Sequence, residues 1–209
     1  WPDGEGAPRI TNFSLADHPP HAIERMRRWW DIEPANHMGI AAASPAAVER
    51  SCGLIATALD HLRAASPALH DEIRIIVRDI VLSHPDGNQH IAYGGASSFA
   101  LWGGVLLNTA SNADWMQVYR KIVHEAAHNL LFAIARSEPL VEDDPAERHA
   151  SPIRADLRPM DGIFHAAFVS AREAMACDDL LCLHEREPRL DVTEVEVVTD
   201  LLDQGVLAF

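Results

Sequence analysis

From Asn112 to Ala135 neither proline nor glycine interrupts the chain, and Trp115, Val118, Ile122, Ala126 and Leu130 recur at helical spacing. Such a stretch folds as a long helix with one buried face, started by the capping types Asn112 and Asp114. Near its middle stands His124-Glu125-Ala126-Ala127-His128. Four residues is close to one turn, so both imidazoles leave the same face and are spaced to share one divalent ion, while Glu125 points to the neighbouring side. The chain must therefore place a metal-binding helix against a core.

Two imidazoles do not complete a catalytic centre, which takes three protein ligands and keeps open positions. The extended metalloprotease pattern is absent, because Leu131 and Ile134 stand where its glycine and third histidine would be. His149, Glu147, His165 and Glu173 are the downstream candidates. His165 is preferred, since it follows a proline-rich loop and is flanked by Phe164, Ala166 and Phe168, which turn it inward. From the bare motif, a zinc peptidase with Glu125 as general base is the leading reading. A structural metal site or a non-catalytic binding module is the third possibility, though structural zinc prefers four ligands and more cysteine.

Elsewhere the pattern predicts an α+β, mainly helical single domain spanning 1–209, with a small antiparallel sheet beside the metal helix and a metallopeptidase-like arrangement. Residues 1–16 read as an irregular arm, with Pro2, Gly4, Gly6 and Pro8 and no period. Asp17 is expected to cap a helix through Trp30 that Pro34 closes, and Ser44-Pro45 to start another that Ser66-Pro67 ends. Residues 72–83 and 97–108 read as extended segments either side of the turn cluster His84-Pro85-Asp86-Gly87-Asn88. The second segment is a candidate edge for an extended peptide, with Trp102 lining it. Residues 137–159 hold four prolines and form a long loop of the functional kind, and two helices, about 161–184 and 192–204, follow.

The formal charge of −14, from 17 basic against 31 acidic residues, makes nucleic acid a poor partner. No apolar run approaches the ~20 residues that span a bilayer, and the N-terminus lacks a secretory signal, so no membrane partner and a cytoplasmic address are expected. Cys52, Cys177 and Cys182 fit no zinc spacing and are expected as reduced thiols.

In the loop, Ser151-Pro152-Ile153-Arg154-Ala155-Asp156-Leu157-Arg158-Pro159 is followed by Gly162 and His165. With the His-Glu-x-x-His motif before it, this order resembles a family of 2-oxoglutarate-dependent peptide β-hydroxylases found beside genes for ribosomally made peptide natural products. The resemblance covers roughly residues 97–175. It implies a peptidase-like fold, a peptide substrate (a precursor peptide), Fe(II) held by His124, His128 and His165, and 2-oxoglutarate as cofactor, with zinc as the alternative metal. Arg154 and Arg158 suit the distal carboxylate of 2-oxoglutarate, because a planar guanidinium binds carboxylate bidentately, and Asp156 is placed to hold one of them. Ile153 and Leu157 depart from the family pattern, standing where an aromatic and a proline are expected. Under this reading Glu125 shapes the site rather than acting as a base.

Overall fold

The computed structural model describes residues 8–31, 37–144, 146–151 and 156–207. Its centre is a mixed sheet whose main path runs β1 (Arg9–Asn12), β3 (Asp79–Pro85), β5 (Gly104–Asn108), β4 (Gly95–Ala96), with β2 (Ile40–Ala41) pairing the end of β3. The β1–β3 and β3–β5 pairs are parallel, and only β2 and β4 pair antiparallel. This corrects the expected antiparallel sheet. The apolar runs Ile80-Val81-Leu82 and Val105-Leu106-Leu107 are buried on both faces, as parallel strands covered on both sides must be.

The two faces separate cleanly by the strand period of two. Ile80, Leu82, Val105 and Leu107 join a core with Ile55, Leu62, Val118, Ile122, Leu180 and Val198. Val81 and Leu106 face the other way, onto Phe13, Ile23, Met26 and Trp30. Helices α2 (Pro45–Ala65), α4 (Trp115–Ile134), α5 (Met160–Arg186) and α6 (Val192–Val206) thus cover one face, while α1 (Pro20–Trp30) covers the other. Each fully buried Leu or Ile contributes about 1.5–3 kcal/mol of transfer free energy, so this layering dominates stability. Among the described residues no helix is long and apolar enough to cross a membrane.

Several boundaries differ from expectation for local reasons. The arm proposed for residues 1–16 includes β1, whose four residues are too few to display a period; it is fixed by Phe13 N–H donating to the Leu82 carbonyl at 2.8 Å and by burial of the Phe13 ring. Asp17 does not cap α1. Pro19 holds the N-cap position, and the Asp17 carboxylate accepts from the Asn12 N–H at 2.6 Å. Pro34 lies outside the described residues. Ser66-Pro67 ends α2 and also starts α3 (Pro67–Ile76), because proline is favourable at the first helical position, so the extended reading of residues 72–83 holds only for β3. Residues 97–108 are likewise split by a 3-10 turn (Phe99–Leu101) and by Gly103, whose φ of 84° lies in the left-handed region that glycine adopts without strain. In consequence β5 is interior, and the sheet edge nearest α4 is β4.

Candidate metal centre

Asp114 caps α4, its carboxylate accepting from the Gln117 N–H at 2.8 Å, and twenty uninterrupted residues follow. Arg120, His124 and His128 are spaced by four and share one stripe. Across from them, α5 presents His165 and Glu173 on its own stripe, after the N-terminal turn that Pro159 begins. Arg120 and His124 meet Glu173, whereas His128 meets His165, so α4 and α5 run antiparallel and the four-residue spacing is read as a ladder.

The cleft between them has a volume of about 610 Å³, and its walls include Arg120, His124, His128, Arg158, His165 and Glu173. His165 Nδ1 lies 3.5 Å from His128 Nδ1. Two nitrogens sharing one ion at ~2.1 Å each stand roughly 3.0–3.4 Å apart, from octahedral to tetrahedral angles, so this pair fits a common ligand. Burial, reinforced by the positive potential of His124 and His165, pushes His128 down to about 3. It is therefore neutral near pH 7, as a metal-binding imidazole must be.

His124 is held differently. Its Nδ1 is bonded to the buried Glu173 carboxylate, and Glu173 also lies 3.5 Å from Arg120 Nη1. Although burial alone lowers the imidazole pKa, the Glu173 hydrogen bond and the charges of Glu125 and Glu173 raise it overall. A carboxylate on Nδ1 fixes the tautomer and leaves Nε2 as the nitrogen free for an ion. The rings of His124 and His128 are 4.9 Å apart between centroids. Those of His128 and His165 are 5.7 Å apart, yet the three imidazoles do not bring one nitrogen each within 4.8 Å of one another. Among the described residues, the trio with three ligand atoms mutually within 4.8 Å is Asp143, Glu147 and His149. Glu147 and His149, two of the alternative third ligands, thus belong to a separate cluster on the loop, and Glu173 serves His124 rather than standing beside His128 and His165.

Glu125 turns away from the cleft. Only 5% exposed, it accepts a hydrogen bond from Ser97 Oγ, and burial raises its pKa. A Cβ added to Gly95 would come within 2.7 Å of Glu125 Oε1, so the carboxylate packs directly on β4. Ser97 and Gly95 escape a motif search because their role depends on the edge strand. Arg120 was legible in principle, since it lies four residues before His124.

A two-way backbone bridge pairs His149 with Arg158, a residue of the cleft wall. His149 N–H donates to the Arg158 carbonyl at 2.8 Å and Arg158 N–H to the His149 carbonyl at 2.9 Å. Asp156 holds Arg158, accepting from its Nε at 3.0 Å. Arg154 lies outside the described residues. No family model matches the chain, and no curated protein matches it.

The residue after the motif ties the site to the sheet. Asn129 is fully buried; its Oδ1 accepts from the Gly103 N–H at 2.7 Å, and its Nδ2 donates to the Glu125 carbonyl at 2.9 Å. Asn129→Ala strands the Gly103 N–H away from water. Urea denaturation should show a loss of about 2 kcal/mol or more, and a loss under about 0.5 kcal/mol would mean that water replaces the amide.

Proposed function

We propose that this chain is an Fe(II)/2-oxoglutarate-dependent oxygenase that hydroxylates a side-chain β carbon of a ribosomally made peptide in the cytoplasm, as a tailoring step. The observation that carries this reading is the division of labour around α4. Imidazoles and the two guanidinium groups of Arg120 and Arg158 line the cleft, while Glu125 is sequestered against β4. A zinc peptidase needs its glutamate beside the metal-bound water, and a hydroxylase needs no general base there. The antiparallel edge strand β4 beside the motif helix supports the metallopeptidase-like part of the reading. The strong negative charge argues against nucleic acid as a partner.

In this reading His124, His128 and His165 hold the iron. Bound iron, with 2-oxoglutarate and dioxygen, supplies the oxidising equivalents that turn C–H into C–OH. The chain's own groups position and exclude. Glu173 keeps the proton of His124 on Nδ1 and its Nε2 toward the cleft. Arg158, steadied by Asp156, takes the distal carboxylate of 2-oxoglutarate, and Arg154 is the second candidate for that contact. Ala166 and Val169 wall the cleft with apolar surface.

The test is anaerobic titration with Fe(II) and then 2-oxoglutarate. A weak visible charge-transfer band should appear, and Arg158→Ala should raise the 2-oxoglutarate concentration needed by roughly 10-fold or more, as expected when a bidentate charged contact is lost. Glu125→Gln should retain the band. No band, together with zinc-dependent peptide cleavage that Glu125→Gln abolishes, would establish the peptidase instead.

A further inference from the structure

An aromatic surface runs from the imidazoles out to solvent. Phe132, one turn beyond His128, lies near-parallel to the His128 ring at 6.3 Å and 6.0 Å from the His165 ring. Its other neighbour is Phe99, edge-on at 5.9 Å and 86°. Phe99 opens the 3-10 turn before β5 and Trp102 follows it, and both are largely exposed, at 58% and 60%. Phe164, beside His165, is also exposed.

These rings are exposed yet anchored. Trp102 Nε1 donates to the Asn129 carbonyl at 3.0 Å, the Gly103 N–H is fixed by the Asn129 side chain, and Phe99 is braced by Phe132. A tryptophan with its polar edge already satisfied and its face in water presents apolar area without further ordering cost. Exposed apolar surface of this kind, continuous with a cleft, marks a recognition site.

The charge beside it indicates the occupant. Residues 135–150, between the C-terminal end of α4 and the His149–Arg158 bridge at the cleft, carry Glu138, Glu142, Asp143, Asp144 and Glu147 against Arg136 and Arg148. The segment begins within one turn of Phe132 and ends at Ser151 and Arg158 in the cleft wall, so its net negative charge attracts cationic flanks of a ligand held between the two and repels anionic ones.

We propose that Phe99, Trp102 and Phe132 form the docking surface for an apolar or aromatic side chain of an extended, lysine- or arginine-rich peptide, with the acidic loop selecting its charge. The peptide nature of the ligand rests on the oxygenase reading, whereas the apolar and cationic preference rests on this surface. A binding assay without turnover keeps the two separable.

The probe is a fluorescein-labelled peptide of about twelve residues alternating lysine with phenylalanine or leucine. Two relatives carry glutamate for lysine, or serine for the apolar residues. Anisotropy at physiological salt with the full chain should show the first bound at least roughly tenfold more tightly than either relative. Phe99→Ser with Trp102→Ser removes the two exposed rings, together with the Trp102 bond to Asn129 and the Phe99 contact with Phe132, and leaves the charge unchanged; with unchanged thermal unfolding as the control, it should weaken binding by a similar factor. Glu142→Gln with Asp144→Asn should reduce the preference for lysine over glutamate and leave that for apolar over serine. Equal affinity for the three peptides, or undiminished binding by the double serine variant, would overturn the proposal. Peptide binding without the charge-transfer band would leave the surface standing and remove the oxygenase; a band with no peptide selectivity would do the reverse.

Discussion

If iron or zinc binds as proposed, His128→Ala will abolish the stabilisation that the ion gives the wild-type fold. An ion bound by the native chain and not by its unfolded form stabilises by RT ln(1 + [L]/Kd), about 2.7 kcal/mol at a hundred times Kd, which is several degrees in the unfolding temperature of a chain this size. His128 and His165 contribute the two nitrogens whose 3.5 Å separation suits one ion. Removing either leaves too few donors, and the affinity should fall by more than a hundredfold, beyond the loss that follows removal of a supporting partner. The metal-free variant should remain folded, because His128 is half-buried and neutral and alanine takes no charge with it. Thermal unfolding with and without added Fe(II) and Zn(II), in chelator-treated protein, measures this directly. A His128→Ala protein that gained as much from metal as the wild type would remove His128 from the site. A His165→Ala protein that did so would return the third ligand to Glu173 or another group.

Helix α4 and the shared stripe of its two histidines are legible because they follow from rules that act within one element. An amphipathic period, an aspartate cap and four-residue spacing need no knowledge of the rest of the chain. Ser44 at the start of α2 is read equally well, its hydroxyl accepting from the Ala47 N–H. Strand pairing is less accessible. Nothing in Arg9-Ile10-Thr11-Asn12 announces a partner some seventy residues away, and the parallel alignment of Ile10 with Ile80 arises only once α1, α2 and α3 have brought the chain back. The runs Ile80-Val81-Leu82 and Val105-Leu106-Leu107 did carry a signal, since three successive apolar residues without alternation mark strands buried on both faces.

The candidate site divides along the same line. His165 could be picked out beside its aromatic neighbours, and Asp156 beside Arg158 follows from local spacing. The destination of Glu125 could not be read, because it depends on β4 passing close enough for Ser97 to donate and Gly95 to leave room. Glu173 was visible as a carboxylate on the right helix. Its role as the partner of His124 and Arg120 emerges only from the antiparallel pairing of α4 with α5.

Glu173→Gln should be the second large effect, with two separable signatures. In the metal-loaded protein it removes the carboxylate that fixes the His124 tautomer, and the affinity for Fe(II) or Zn(II) should fall by about 10–100-fold. In the metal-free protein it breaks a pair that raises the pKa of His124 above its unfolded value near ~6.5. A raised imidazole contributes stability that is fully present below the unfolded pKa and is lost as pH rises through the folded one. Glu173→Gln should therefore destabilise the chelator-treated protein more at pH 5.5 than at pH 8.5 in urea titrations. The part of the loss that persists at the higher pH reports the ion pair between Glu173 and Arg120. Equal destabilisation at the two pH values would mean that Glu173 acts through Arg120 alone, and the weaker metal binding would then need another cause.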